Sequence, residues 1–154
     1  MDIAKSRQRI DGWFPRLAGF GYDPKSEETA EYNCIAWAVG ETHRRWDAAP
    51  GYYWPPGLPR DDQIETLVRV FKSSGYELCD ELNSEFASLE AGVLKIVLYA
   101  DGSEWTHAVR QLPTGRWTSK LGDYEDIEHD TLDGFEEHYG QPRFLMRMRT
   151  TEQI

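Results

Sequence analysis

An α+β fold is predicted for this chain, and three features of the sequence predict it. Residues 34–41 (CIAWAVGE) are apolar and rich in alanine, as a short buried helix requires. Residues 61–74 place Ile64, Leu67, Val68 and Phe71 on one helical stripe. From residue 93 onward, β-prone runs alternate with turn signals, which is the pattern of an antiparallel meander. Helices followed by a meander give an α+β arrangement in which the cysteine-bearing helix packs on an antiparallel sheet. The 154 residues suit a single domain spanning 1–154. With 40% hydrophobic and 29% charged residues, the composition is that of a globular chain rather than a disordered one.

Taken in order, the first thirty residues read as irregular, with a short helix at Ile3–Ile10. Asn33 stands where an N-cap belongs, just before the helix that Cys34 opens. Asp47–Arg60 (DAAPGYYWPPGLPR) has too much Pro and Gly for regular structure and reads as a loop with an aromatic tip. The 61–74 helix is expected to be capped by Asp61 or Asp62 and ended by Gly75. A short strand follows at Tyr76–Cys79. Val93–Ala100 (VLKIVLYA) is the strongest strand, and Asp101-Gly102 turns it back into Trp105–Leu112. Thr114-Gly115 turns again into Arg116–Lys120. The stretch after Gly122 is acidic and reads as loop. Arg143–Arg149 alternates Phe144, Met146 and Met148 with arginines, as a half-buried last strand does.

The formal net charge is −10, which argues against a nucleic-acid partner, because phosphate would be repelled. No stretch is long and apolar enough to span a bilayer, so no membrane partner is expected. The N-terminus lacks the apolar segment of a signal peptide, which predicts a cytoplasmic protein or export by a signal-independent route. Two cysteines, Cys34 and Cys79, are too few for a disulfide scaffold, and Cys79 reads as a buried strand residue. His129 and His138 with Asp126 and Glu137 match no zinc spacing, so neither a metal nor a cofactor is expected. The acidic run Asp123, Glu125, Asp126, Glu128 and Asp130 reads as a solvated face. The oligomeric state is not legible.

The residues that can carry chemistry are Cys34 and His107. Unpaired N–H groups at a helix start favour thiolate over thiol, and the same donors can hold an oxyanion. A histidine near the start of a neighbouring strand can take the thiol proton and return it to a leaving group. The expected contact puts the sulfur within about 4 Å of an imidazole nitrogen.

The segments Asn33-Cys34-Ile35-Ala36-Trp37-Ala38, Thr106-His107-Ala108 and Trp117–Gly122, with His129 and Tyr139-Gly140, resemble an uncharacterised family of bacterial domains. That family in turn resembles the papain-like cell-wall peptidases of the NlpC and CHAP type. The resemblance implies a papain-like core and a cysteine hydrolase that cleaves an amide bond in a peptide, a peptidoglycan stem or a protein side chain. Such enzymes carry a polar third residue on the strand after the histidine. Here that strand offers Ser119, and the next loop offers Asp126, the better acceptor. Asn33, Trp37, Tyr53, Trp54 and Trp105 are the expected substrate-binding residues. The Tyr52-Tyr53-Trp54 tip reads either as a groove wall or as a loop clamped on the core. The competing reading is a catalytically inactive papain-like binding protein whose acid excess captures a basic partner.

Overall fold

The computed structural model describes residues 1–79 and 87–150. The helices are α1 (Ile3–Trp13), α2 (Cys34–Val39), α3 (Ile64–Ser73) and α4 (Glu136–Tyr139). The strands are β1 (Tyr22–Pro24), β2 (Glu77–Leu78), β3 (Val93–Asp101), β4 (Glu104–Gln111), β5 (Trp117–Lys120), β6 (Asp126–His129) and β7 (Gln141–Arg149). Among the described residues the strands form one sheet in the order β1-β6-β5-β4-β3-β7-β2, and all neighbours are antiparallel.

This sheet-dominated fold overturns the expected papain-like core. The cysteine helix α2 has only six residues, and Gly40 ends it with a left-handed φ of 93°. A helix of under two turns cannot serve as the long central helix on which a papain-like site is built. Each sheet face instead has its own hydrophobic core. Ile96, Leu98, Ala108 and Met146 pack beneath α2 and α3. Val97, Tyr99, Val109, Trp117 and Leu145 point the other way, toward Ile10 and Phe14 of the α1 region and toward Phe135 and Tyr139. The strict alternation along β3 and β7 follows from the period of two in a strand that is buried on both sides.

The α3 stripe is fully buried at Ile64, Leu67, Val70 and Phe71, and each such side chain stabilises the fold by about 1.5–3 kcal/mol. The predicted aspartate cap does not form. Gln63 is the cap residue and makes no side-chain cap bond. The backbone of the β3–β4 turn takes over: Ile64 N donates to Ser103 O at 2.9 Å, and Trp105 N donates to Asp62 O at 2.9 Å.

Two strands lie where the sequence reads as loop. β1 sits in the irregular N-terminal stretch and pairs with β6, which lies in the acidic run. That run is therefore not a solvated face. Glu125 and Asp126 are buried, with Glu125 paired to Arg9. Cys79 is half-buried and follows β2 directly, with its N–H donating to Leu145 O.

Candidate functional site

Cys34 opens α2 as expected. The Asn33 side chain accepts from Ala36 N at 3.3 Å, accepts from Trp46 N at 3.1 Å and donates to Trp46 O at 2.6 Å. Asn33 thus fastens the helix start to the loop that follows it. The thiol, however, is buried at 8% exposure. Burial pushes its pKa up to about 11, and the backbone of Ala108 and the cation of Arg45 offset this only in part. Cys34 is a neutral thiol at neutral pH.

His107 does not meet it. The β3–β4 ladder pairs Tyr99 with His107 and Ala100 with Trp105, so Thr106 is an extra residue, a β-bulge. In an unbroken strand Trp105 and His107 would share a face. The bulge leaves Trp105 against the α2/α3 core and turns His107 into the opposite core. Ala108, the next residue, returns to Cys34's side. His107 is fully buried, and neither ring nitrogen has a hydrogen-bond partner among the described residues. Its ring lies flat on Tyr139, with centroids 4.0 Å apart and planes 10° apart. Burial, helped by neighbouring His129, drives its pKa well below the usual value. The residue is a neutral aromatic plate. Gly140 lets the chain pass close to β3 here: its φ is 72°, and a Cβ would lie 2.3 Å from Ala100 O.

The two third-residue candidates divide in the same way. Ser119 lies on His107's side of the sheet but engages His129. Ser119 Oγ is 2.7 Å from His129 Nε2, and His129 Nδ1 is 2.7 Å from Thr131 O, so Nδ1 donates to the carbonyl and the hydroxyl donates to Nε2. Asp126 lies on Cys34's side, where its Oδ2 accepts from Ser26 Oγ at 2.5 Å and from Tyr32 OH at 2.9 Å. The sheet therefore separates Cys34 and Asp126 from His107 and Ser119.

The expected substrate-binding residues are also spread out. Trp54 is buried, donates from Nε1 to Pro59 O at 2.8 Å, and stacks on Trp105 at 6.4 Å. Tyr53 is half-buried beneath the Arg44 guanidinium, 3.6 Å from its ring centre. The aromatic tip is thus clamped on the core, with Tyr52 left exposed. Trp37 donates to Thr118 Oγ1 at 2.9 Å, and its ring faces Arg110 at 5.3 Å.

The family described as a domain of unknown function, DUF7689, matches residues 24–147. The chain belongs to this family. No curated protein and no solved structure matches it at a significant level. The DUF7689 match accords with the expected uncharacterised domain family and spans every expected catalytic and substrate-binding residue.

Sequence reasoning passed over two residues of this DUF7689 domain. Lys120 is fully buried, and its Nζ donates to the carbonyls of Thr29, Gly122 and Tyr124, which uses all three protons. It clasps the β5–β6 turn to the segment before α2. Arg110 sits half-buried on the α2/α3 face. Neither carries a motif; only a cation inside a β-prone run hinted at them. Among the described residues no group of three or more His, Cys, Asp or Glu is placed to hold a metal ion, and no helix is long and apolar enough to cross a membrane.

Proposed function

We propose that this domain is a binding module that captures a basic protein segment, rather than a hydrolase. The observation that supports this is the end of the molecule where α3 begins beside the β3–β4 turn. Asp61, Asp62, Glu65, Asp101 and Glu104 gather there, and none of them joins an ion pair among the described residues. Four are exposed and Asp61 is half-exposed. Two arginines flanking the cluster are engaged elsewhere. Arg60 donates to the carbonyls of Ala48, Ala49 and Tyr52, and Arg143 to that of Gly102. At the other end of the molecule the acids are matched, with Arg116 alone meeting Asp23, Glu128 and Asp130.

Unpaired carboxylates on a rigid helix start and turn attract a cationic segment and set its approach. Trp105, next to Glu104 and half-buried, supplies an apolar and cation–π surface beside them, held from behind by its stack on buried Trp54. A hydrolase, by contrast, would need the Cys34 thiol and the His107 imidazole on one face.

Titration with an oligolysine peptide tests the proposal. Saturable binding is expected, weakened by about 0.5 M salt and by the double charge reversal Asp62→Lys with Glu104→Lys. Binding that survives both changes, or no binding at low salt, overturns it.

A further inference from the structure

We infer that a groove floored by Arg110 is a binding site for a small monocarboxylate with an apolar body. Arg110 lies in β4 between Ile96 of β3 and Thr118 of β5, on the face covered by α2. Its side chain enters a groove of about 300 Å³ bounded by the C-terminal ends of α2 and α3 and by Leu94 and Met148. The guanidinium makes no hydrogen bond and no ion pair among the described residues, and its Nε is shielded from water without an acceptor. It faces the ring of Trp37, with Tyr76 on the same groove wall and the Asp126 carboxylate near enough to attract it but not bonded to it.

That isolation is unusual in this chain, which has 27 acidic and 17 basic residues. Arg7, Arg9, Arg44, Arg45, Arg116 and Arg147 each meet a carboxylate. The acid on the groove rim, Glu41, is committed to Arg44 and to the Trp46 indole. A partly buried guanidinium with free donors costs stability unless something accepts from it. A carboxylate from outside matches its planar fork.

The surroundings narrow the class. Ser74, which caps the ten-residue helix α3 at its C-terminal end, lines the groove, and so does the Glu41 carboxylate, so negative charge already stands near it. Among the described residues, Arg110 is the one cation lining the groove. One positive charge beside that carboxylate and helix end suits a monoanion better than a phosphate dianion. The walls are mainly apolar and aromatic: Val39, Trp46, Tyr76, Leu94 and Met148. Tyr76 keeps its proton, because burial raises its pKa and the Arg110 charge only partly opposes this. Its hydroxyl is available as a donor to the second carboxylate oxygen. The volume sits at the lower limit of ligand pockets, which fits an aryl or short-chain acid.

Phenylacetate is the probe. Titrated up to about 10 mM, it should bind saturably and shift the indole N–H resonances of Trp37 and Trp46 in a 15N-labelled sample. Phenylacetamide and inorganic phosphate should not. Arg110→Met should weaken binding at least about tenfold, while Arg110→Lys should retain part of it. Leu94→Trp, which fills the groove and leaves the arginine in the sequence, should also abolish binding and keeps the test decisive if Arg110→Met does not fold. The assignment fails if phenylacetate does not bind, if phenylacetamide or phosphate binds as well, or if binding persists in Leu94→Trp.

Discussion

At Cys34 two influences oppose each other. The start of α2 favours thiolate, whereas the core packed around the sulfur favours thiol. Burial prevails, because a six-residue helix offers little dipole and desolvation acts on the whole charge. The thiolate fraction at neutral pH is therefore minute, and little of the sulfur is accessible. Iodoacetamide at pH 7 should modify half-buried Cys79 first and leave Cys34 untouched until denaturant is added. Mass spectrometry of the alkylated peptides would show the order. Rapid, selective labelling of Cys34 in the folded protein would return the thiol-hydrolase reading to the front. Lys120 presents the opposite balance. Burial lowers its pKa, yet three carbonyls meet its three protons and keep the cation in place.

Among the elements, α2 depends most on a single side chain. Asn33 caps the helix and satisfies both the N–H and the C=O of Trp46. Asn33→Ala removes a cap and strands two buried backbone groups, so it should cost about 3 kcal/mol, read from urea unfolding. A loss within the range of a surface substitution would mean that water or a rearranged loop replaces the amide. The N-cap was legible because Asn before an apolar helix has one favoured use. β3, β4, β7 and α3 were legible because their apolar periods are strong. β6 was not, since Asp126-Ile127-Glu128-His129 reads as solvated unless one knows that Ser26, Tyr32, Ser119 and Arg116 wait to satisfy it. The bulge at Thr106 had no signal either. No Gly or Pro marks it, and a one-residue slip is enough to carry His107 to the other face. The separation of His107 from Cys34 follows from that slip.

Across the whole molecule, two buried histidines set the response to acid. His107 and His129 both belong to the core on the α1 side, and burial lowers the pKa of each, that of His129 to about 4. The unfolded chain binds these protons near pH 6.5, and the folded chain binds them only at lower pH. The unfolded state therefore holds more protons in between, and stability falls as pH drops below about 6.5. His129 alone should remove about 2 kcal/mol at pH 5, and His107 adds to the loss. Urea midpoints at pH 7 and pH 5 would measure it, and His107→Phe should reduce the difference. Equal midpoints would show that the imidazoles find partners on protonation.

The two ends of the sheet have a consequence for crowded solutions. β1 is three residues long and finishes in Pro24, which has no amide hydrogen, and β2 is two residues long. The long strand β3, whose apolar, β-prone sequence is closest to that of a fibre-forming segment, lies between β4 and β7. On the far rim β2 pairs only with Met146 and Arg147 of β7, and the rest of that strand carries Pro142, Arg143 and Arg149, a missing amide hydrogen and charges that discourage a passing chain. Fibre growth through β3 would first have to peel away β7 or β4, so the rate of aggregation should follow opening of the sheet's centre rather than fraying of the short strands at its rims.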